Sequence, residues 1–559
     1  MESKHDPTRN ELERELHTEI YPGTEIMTDV GTHHFVKSSS HPDRVLVPQP
    51  SEDPHDPLNW SRLRKLVVIS IATSVTFSQG LGPLALAPMF PQLMESFNAD
   101  LPSVVKFTGV CILVLGFSNF FWIPIQTTFG RRPVLIFSTL ICVVSNIWRA
   151  TATTYGSYMG ACVLNGFGAG PAETSQPEII ADILFLHERG AYNTLYFTAY
   201  FGSLMVGPII AGPMAEHVGW RNFFWLNTGI LALVMISVIC FFPETKWNRA
   251  LPITTDARDL PTPPPPPELK ADPEKPTETF HEDAVATTTD VELQDTAAST
   301  SPASFVGRGA PSKKQFALYQ HSPNGDNIRI LLTSFYIPWK LHLFPIIELA
   351  AFIVSWSASV FLTLNLTQSQ AFAAPPYNFS SQTIGFFNFA ILVGALIGLL
   401  TNGRLSDWIS MRATVRNRGV REPEMRLPSM IPYLVVCIVG NFVVAFGYEY
   451  KWDWRIIVLI GYTAVGIQVA ALPAIVSTYA VDSYKPVAGS IFVSITVNKN
   501  LWGYGFSEFI TKWIESSGFV KPIMLNTGLM VLWCLCAVPF YVWGKRVRKW
   551  TAKSSVHDM

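Results

Sequence analysis

The sequence predicts an all-α membrane protein with twelve transmembrane helices arranged as two six-helix halves. Twelve apolar stretches recur along the chain, and a helix needs about 20 residues to cross roughly 30 Å of hydrocarbon. In lipid, only helices and closed barrels satisfy every backbone polar group. Six stretches precede a polar segment, 244–340, and six follow it. This layout is typical of transporters built from two repeats.

The composition supports bilayer insertion. Of the 559 residues, 48% are hydrophobic and 15% are charged, whereas soluble proteins carry about 25% charged residues. The first six expected spans are Leu66–Phe90, Val104–Ile125, Pro133–Ala150, Ser157–Ala181, Tyr192–Glu216 and Phe223–Pro243. The second six are Leu341–Leu364, Gln382–Asn402, Ser429–Tyr448, Arg455–Thr478, Pro486–Phe509 and Val520–Trp543.

Five regions follow from these spans. Residues 1–64 are a polar tail, expected to be disordered and cytosolic, and residues 65–243 form the first half. Residues 244–340 form a linker in which five consecutive prolines, 263–267, favour an extended polyproline II spacer. The acidic, Thr-rich remainder of the linker cannot bury a core, so we expect a tether. Residues 341–543 form the second half, and 544–559 a cytosolic tail.

Positive charges predict the orientation. With an even number of spans, both termini lie on one side, where the short segments hold 18 Lys and Arg residues against 7 on the other side. The positive-inside rule therefore places both termini in the cytosol. A net charge of -1 gives no indication of nucleic-acid binding. Two sequons near the seventh-to-eighth connection, which this rule places outside, make Asn378 and Asn365 candidate glycosylation sites.

Two equivalent cytosolic turns carry related sequences. Residues 129–133, Phe-Gly-Arg-Arg-Pro, follow the second span, and residues 403–408, Gly-Arg-Leu-Ser-Asp-Trp, follow the eighth. These segments resemble the major facilitator superfamily, which marks this turn of each half with Gly, Asp, Gly and basic residues. The resemblance implies a gating contact in which a carboxylate and a guanidinium pair across a moving seam.

Each half keeps a different part of that pattern. The first copy retains Gly130, Arg131 and Arg132 but has Ile123 and Thr127 where the family has Gly and Asp. The second copy retains these three residues: Gly403, Asp407 and Arg412. The missing Asp weakens the expectation of a gating ion pair in the first half.

The fifth span carries a second resemblance. Gly207, Pro208 and Gly212 are similar to the Gly-Pro motif of facilitator drug:proton antiporters. Glycines at this spacing let two helices approach closely, and proline allows a bend.

The chain further resembles fungal twelve-span drug:proton antiporters, including the branch of polyamine and organic-cation carriers. That resemblance rests on these stretches: 56–60, 168–173, 187–190, 416–419, 422–427, 479–484 and 498–501. The arginine usual in that group's fourth span is replaced by Cys162, which leaves the coupling ion open.

Ionisable residues inside spans are candidate sites, because insertion of each costs at least about 2.5 to 3.5 kcal/mol. Glu173 shares a helical face with Gly166, Gly170 and Pro177, and it is either a proton or cation site or a structural hydrogen-bonding group. Glu348 is either such a site or a carboxylate at the cytosolic rim. Asn498 and Lys499 lie near the centre of the eleventh span, where Lys499 needs a carboxylate or carbonyl partner.

Further polar groups lie on spans that line the cavity in this family: Gln79, Asn119, Tyr196, Tyr200, Asn388 and Gln468. Together they suggest a polar cavity between the halves. The chain has no Gly-x4-Gly-Lys-Ser/Thr signature, which argues against an ATP-driven pump. No enzyme activity, metal or other cofactor is expected.

These observations predict a monomeric secondary transporter that works by alternating access. The expected activity is proton-coupled export of a small organic molecule, such as a drug, toxin or secondary metabolite, across a fungal plasma membrane. One alternative is proton-coupled uptake of polyamines or other organic cations. Another is a membrane sensor that does not transport. The expected partners are the small-molecule substrate, protons and membrane lipid.

Overall fold

The computed structural model describes residues 25–26, 37–38, 41–45, 48, 50–51, 53–247, 306–318, 327–417, 420–484, 487–552 and 554. Within them the chain is predominantly α-helical. The first half consists of α1 Arg62–Gly80, α2 Phe90–Phe97, α3 Leu101–Phe129, α4 Arg131–Thr151, α5 Tyr155–Ala169, α6 Pro171–Ile183, α7 Leu186–His217 and α8 Trp220–Phe241. The second consists of α9 Asn327–Leu341, α10 Pro345–Phe372, α11 Ser381–Arg416, α12 Met430–Glu449, α13 Trp454–Ser483, α14 Ala488–Ser517 and α15 Val520–Thr551.

The architecture is that of a polytopic membrane protein. Among the described residues, nine helices are long and apolar enough to cross a membrane. The other three expected spans fall on α1, on α5 with α6, and on α14. Each has a local reason for its weaker signal: α1 begins with Arg62, the α5–α6 pair is divided into two short helices, and α14 carries Lys499 near its centre. The number twelve stays a prediction.

Two of these weaker spans are interrupted near mid-membrane. The first span leaves α-helical geometry after Gly80, and the chain passes through the short 3₁₀ helix Ala87–Met89 before α2 begins. The fourth span is divided at Gly170, where Pro171 starts α6. Proline is favoured in a first helical turn because its missing N–H has no partner there anyway. In α13, residues Ile457–Tyr462 are π-helical. Irregular backbone near mid-membrane, as at Gly80 and Gly170, is typical of transporter helices that line a cavity, whereas the π-helical segment lies near the start of its span.

The two halves meet along two pairs of helices, α7 with α11 and α3 with α14. A glycine permits the first contact: a Cβ atom added at Gly212 would lie 2.5 Å from the carbonyl oxygen of Ser381. Glycine therefore lets the two backbones touch, which a side chain would prevent. The cavity described below lies between the halves.

The ends of the predicted linker differ from the expectation. Its last residues form α9, a helix that packs on both α3 and α14. Its first residue, Glu244, is buried against α4, and the segment 306–318 packs near the start of α1. The five consecutive prolines, 263–267, and the acidic, Thr-rich residues lie in 248–305, outside the described residues.

The N-terminal tail is ordered at its end. Asp56 caps the 3₁₀ helix Pro57–Asn59, and Trp60 is fully buried and forms a β-bridge with Gly309. The prediction of a disordered tail up to residue 64 is therefore wrong for these residues, because apolar side chains there find a surface to bury against.

Short antiparallel strand pairs join β1 Glu25–Ile26 to β4 Val420–Arg421, and β2 Lys37–Ser38 to β3 His41–Val45.

The C-terminal tail also departs from the predicted boundary at residue 543. Helix α15 continues to Thr551, and Arg548 is fully buried within this extension. Its guanidinium bonds the carboxylates of Glu422 and Glu424, at 2.5 Å and 2.8 Å for the shortest contact to each. These charge-assisted bonds compensate the desolvation of the guanidinium and fix the end of the helix.

Candidate functional site

A cavity lies between the two halves near the middle of the spans. Its empty volume is about 1090 Å³, open solvent included, and helices of both halves line it. Most of the lining is apolar and aromatic. The polar lining residues are Gln79, Glu173, Tyr196, Tyr200, Ser477, Thr496, Lys499 and Asn500. Among the described lining residues, Glu173 and Lys499 are the two charged ones, so the site has no net charge.

The helix break in the fourth span positions Glu173. This residue lies in the first turn of α6, and its N–H donates to the carbonyl of Gly170. The positive end of a helix dipole favours a carboxylate at such a position. Glu173 is only 5% exposed, so its charge requires partners inside the protein.

Three groups supply those partners. The Lys499 ammonium and the Tyr200 hydroxyl both contact Oε1 of Glu173, and the Asn500 amide donates to Oε2 at 3.0 Å. The Tyr196 hydroxyl donates to the backbone carbonyl of Glu173 at 2.7 Å. Because α6 and α7 belong to the first half and α14 to the second, this network joins the halves across the cavity.

Lys499 is held by more than charge. Its Nζ lies 3.1 Å from the Tyr200 hydroxyl oxygen and 5.3 Å from the centre of the Tyr200 ring. A carboxylate beside an aromatic face recognises ammonium groups generally, through Coulomb and cation–π attraction. The arrangement can therefore hold an ammonium group at this position of the cavity.

The structure brings five of the predicted candidates together: Gln79, Glu173, Tyr196, Tyr200 and Lys499. Gln79 reaches the cavity wall from α1, and its amide donates to Ser138 and Thr139 of α4, both at 3.1 Å. Asn500 completes the Glu173 network. Its place beside Lys499 in the sequence was the available signal.

Four predicted amides do not line the cavity, which corrects the expectation of one polar chamber. They form bonds between or within helices instead, because a buried amide needs partners wherever it lies. Thr174 donates to Asn119 at 2.7 Å, and Asn388 donates to Gln368 at 3.3 Å. Ser357 donates to Gln468, and Ser355 donates to Asn498, both at 3.1 Å.

Glu348 is also outside the cavity lining. It lies in the first turn of α10, where its Oε1 is 2.5 Å from Nδ1 of His342. Both side chains are about one quarter exposed. The structure thus places Glu348 near the end of the span, as a partner of His342.

Arg149 is a buried cation that the sequence did not indicate. The charge count places it in an external segment, whereas the structure buries it fully at the end of α4. Its guanidinium contacts the Gly82 carbonyl at 3.5 Å and the Cys111 sulfur at 3.6 Å. It also lies beside Cys162, the position where the related group carries an arginine. The sequence offered no signal for this burial, since an arginine at the end of a span normally reaches water.

The turn between α3 and α4 is held by carboxylates from elsewhere in the chain. Gly130 has a φ of 109°, a conformation that favours glycine. The Glu244 carboxylate accepts from the N–H groups of Arg131 and Arg132 at 2.9 and 3.0 Å. The Arg131 guanidinium lies 2.9 Å from Asp182 of α6. An ion pair therefore exists in the first half although the family's Asp is absent, because another helix supplies the carboxylate.

The equivalent segment of the second half, 403–412, lies within helix α11, although the sequence predicts a turn there, and it is more open. Asp407 lies 3.7 Å from Arg426, and the Arg412 guanidinium stacks 5.4 Å from the centre of the Trp408 ring. A Cβ atom added at Gly403 would have no neighbour within 4 Å. Asp407 therefore pairs with the guanidinium of Arg426, and a close helix approach at Gly403 is not observed.

In the fifth span, the Gly-Pro motif packs on both halves. Gly207 lies against the Leu81 carbonyl at the break after α1, and Pro208 and Gly212 face Gly385 of α11. Of the two sequons, Asn365 is buried within α10 at 1% exposure, which is incompatible with a modified side chain there, while Asn378 is exposed. Glycosylation of Asn378 stays a prediction.

Comparison with known proteins gives a consistent picture. Protein HOL1 of Saccharomyces cerevisiae is 26% identical, with 91% of each chain covered. The efflux pump radE of Floropilus chiversii is 22% identical, covering 89% of this chain and 83% of its own. The crystal structure of the human organic anion transporter MFSD10 (TETRAN) covers 85% of this chain and 99% of its own, with a TM-score of 0.53 at 15% identity. This last likeness shows the fold.

The sequence pattern of the Major Facilitator Superfamily matches residues 72–503, which is most of the chain. That range contains the helices of the cavity and the Glu173 network. The protein is therefore a multi-pass membrane transporter, and the chain belongs to the major facilitator superfamily.

Proposed function

We propose that this transporter exports a small organic molecule from the cytosol in exchange for protons, with Glu173 and Lys499 as the coupling pair. The observation that supports this proposal is the contact between these two charges inside the cavity that separates the halves. A carboxylate and an ammonium from opposite halves attract each other only while both are charged. A change at one must alter how the halves attract each other.

The proposed cycle uses one carboxylate for two ligands. With Glu173 ionised, Lys499 or a substrate cation occupies it. A proton that reaches Glu173 neutralises the carboxylate, frees Lys499 and weakens the attraction between α6 and α14. Because a buried charge without a partner costs several kcal/mol, the halves are expected to rearrange until Lys499 is hydrated or paired again. Proton binding and substrate release are coupled in this way.

The cavity supports a substrate with an apolar body. Phe197, Phe201, Phe361 and Phe492 line it together with aliphatic residues, and pockets for drug-sized ligands are lined predominantly by hydrophobic and aromatic side chains with a few polar groups. Export is supported by the resemblance to fungal drug:proton antiporters and by a relative that is named an efflux pump. A drug, toxin or secondary metabolite fits this description.

A second candidate is uptake of polyamines or other organic cations. The observation that favours it is the ammonium of Lys499, which already rests between the Glu173 carboxylate and the Tyr200 ring. A substrate ammonium would find the same two attractions after Lys499 leaves. This candidate shares the coupling pair and differs in direction and substrate.

The experiment uses purified protein in proteoliposomes with an imposed pH gradient. Ethidium, tetraphenylphosphonium and spermidine serve as probes, and flux is measured with the gradient in each direction. Proton-driven movement of a probe towards the acidic side supports export; movement towards the alkaline side supports uptake. Probe binding without flux under any gradient would favour the sensor and contradict both transport proposals.

We further propose that the protein resides in the plasma membrane with both termini in the cytosol. The bias of 18 to 7 positive charges supports this orientation, and it survives the removal of the buried Arg149 from the external count. Tags at either end and in the linker should resist external protease on intact cells. Digestion of any one tag would contradict the topology.

A further inference from the structure

Helix α9, Asn327–Leu341, lies in the segment that the sequence assigns to a polar linker, yet its outer face is apolar. Its large exposed side chains are between 47% and 76% accessible: Ile328, Leu332, Phe335, Tyr336 and Trp339. Their spacings of four, three, one and three residues place them on one side of the helix. A helix that faced water would carry polar residues on this side.

The inner face of α9, which holds the buried residues Ser334, Ile337, Pro338 and Leu341, covers the seam between the two halves, and Trp339 at the edge of the outer face also contacts it. Trp339 stacks on Phe120 of α3, with ring centres 4.4 Å apart and an interplanar angle of 5°. Ser494 of α14 donates to the carbonyl of Pro338 at 2.9 Å. This bond satisfies one of the last carbonyls of α9, which have no partner within the helix. One short helix is thus attached to both halves.

These contacts place α9 against the terminal turns of two membrane-spanning helices. Phe120 precedes Phe129, the end of α3, by nine residues, which is about 14 Å of helix. Ser494 follows Ala488, the start of α14, by six residues, or about 9 Å. Amphipathic helices that lie in the membrane interface bury their apolar face by about 5 to 10 Å, and they therefore contact the terminal turns of neighbouring spans in this way.

The surroundings and composition of the outer face favour lipid as its partner. Phe117 and Phe121 on α3 and Leu501 on α14 are also exposed, so the apolar surface of the spans continues onto α9. Tyr336 and Trp339 are residues that accumulate at membrane interfaces. Arg329, near the start of α9, is exposed and can reach phosphate groups.

We infer that α9 is an interfacial helix whose outer face binds the acyl-chain boundary of the leaflet on the side of the termini, while its inner face bridges α3 and α14. Any change in the angle between these two helices must move α9 through lipid or break its contact with Phe120 or Ser494. The lipid leaflet is thereby in contact with the seam at which the halves move.

Spin labels test the lipid contact without reference to transport. Single cysteines replace Leu332 and Tyr336 in a background without Cys240 and Cys536, the described cysteines that are not buried. Labelled protein in phosphatidylcholine–phosphatidylserine nanodiscs is compared with a label at Leu233, exposed in the middle of α8, and a label at Leu318 in the linker. Collision rates with oxygen and with a water-soluble nickel chelate are measured.

We expect labels at Leu332 and Tyr336 to resemble the label at Leu233, with oxygen collisions exceeding nickel collisions. Nickel collisions that match those at Leu318 would overturn the inference, since the face would then lie in water. Low collision rates for both reagents with dipolar broadening would also overturn it, since a second copy of the chain would then cover the face.

A second measurement avoids any label on α9. Trp339→Phe retains an aromatic ring for stacking on Phe120 but removes one of the 16 tryptophans. Brominated lipid quenches indole fluorescence at short range. The wild-type protein should therefore lose more fluorescence than the variant when brominated lipid replaces ordinary lipid in the nanodiscs. An equal loss of fluorescence in the two proteins would contradict the interfacial position of Trp339.

Discussion

The ammonium of Lys499 contacts the carboxylate of Glu173, although 326 residues separate them in the chain. Glu173 belongs to α6 in the first half and Lys499 to α14 in the second, and the cavity lies around them. Because this salt bridge crosses the seam, the attraction between the halves depends on the charge of each of the two side chains. This relationship leads to the first two predictions.

Glu173→Gln should abolish transport driven by a pH gradient and retain downhill exchange of the same probe. The amide keeps the size of the side chain and an acceptor oxygen for the Tyr200 hydroxyl, but it loses the second acceptor, which bonds the Asn500 amide, and it no longer takes up a proton. Accumulation and exchange of ethidium in proteoliposomes are the measurements. Glu508→Gln, on α14 but paired with Lys106 at 3.5 Å outside the cavity lining, is the control. Normal accumulation by Glu173→Gln would contradict coupling at this residue.

The Glu173–Lys499 pair should show strong coupling in a double-mutant cycle. Removing one partner of a buried pair costs about 3 to 5 kcal/mol, because the other charge is left unpaired. Glu173→Gln with Lys499→Met should therefore cost much less than the sum of the two single changes. Unfolding in detergent provides the energies. The partly exposed pair Lys106–Glu508 should give a coupling below about 1 kcal/mol; equal coupling in both cycles would refute the distinction.

Gly212→Ala should destabilise the protein and slow transport. The added Cβ would lie 2.5 Å from the Ser381 carbonyl oxygen, and overpacking of this kind costs about 1 to 3 kcal/mol. Gly202→Ala on the same helix is a matched control, since its Cβ meets no atom within 4 Å. Thermal unfolding and flux are compared for both variants. Equal behaviour of the two alanines would show that the α7–α11 contact tolerates a side chain.

Glu244→Gln should loosen the turn between α3 and α4. The Glu244 carboxylate accepts four backbone N–H groups, from Arg131, Arg132, Thr245 and Lys246, at distances of 2.9 to 3.0 Å. Bonds to a charged group contribute about 1.5 to 3 kcal/mol each, so loss of the charge should lower stability by a similar amount. Deuterium exchange of these four amides should accelerate. Glu515→Gln, at an exposed position of α14, should change neither, and unchanged exchange in Glu244→Gln would refute the role of the carboxylate.

The helical membrane fold followed from the sequence because hydropathy and backbone hydrogen bonding act locally. A stretch such as Val104–Ile125 must be helical in lipid whatever surrounds it, and α3 covers it. The boundaries of the polar segments were less predictable. Helix α9 and the buried Glu244 depend on surfaces of α3, α4 and α14 that the linker sequence does not contain.

The candidate site shows the same division. The cost of a charge inside a span marked Glu173 and Lys499 individually, and Tyr196, Tyr200 and Gln79 by their place on cavity-lining spans. The same reasoning marked Asn119, Asn388, Gln468 and Asn498, which the fold directs to other partners. It did not mark Arg149, because an arginine at the end of a span is normally expected to reach water.

The sequence by itself determined the number of apolar stretches, their helical nature, the two halves and the intramembrane charges. Each of these depends on the free energy of transferring a local segment from water into lipid. Only the tertiary structure decided which charge meets which, where the cavity lies and that Asp182 and Glu244 replace a missing motif residue. Those outcomes depend on the packing of helices distant in sequence, where differences of an ångström decide whether two polar atoms bond.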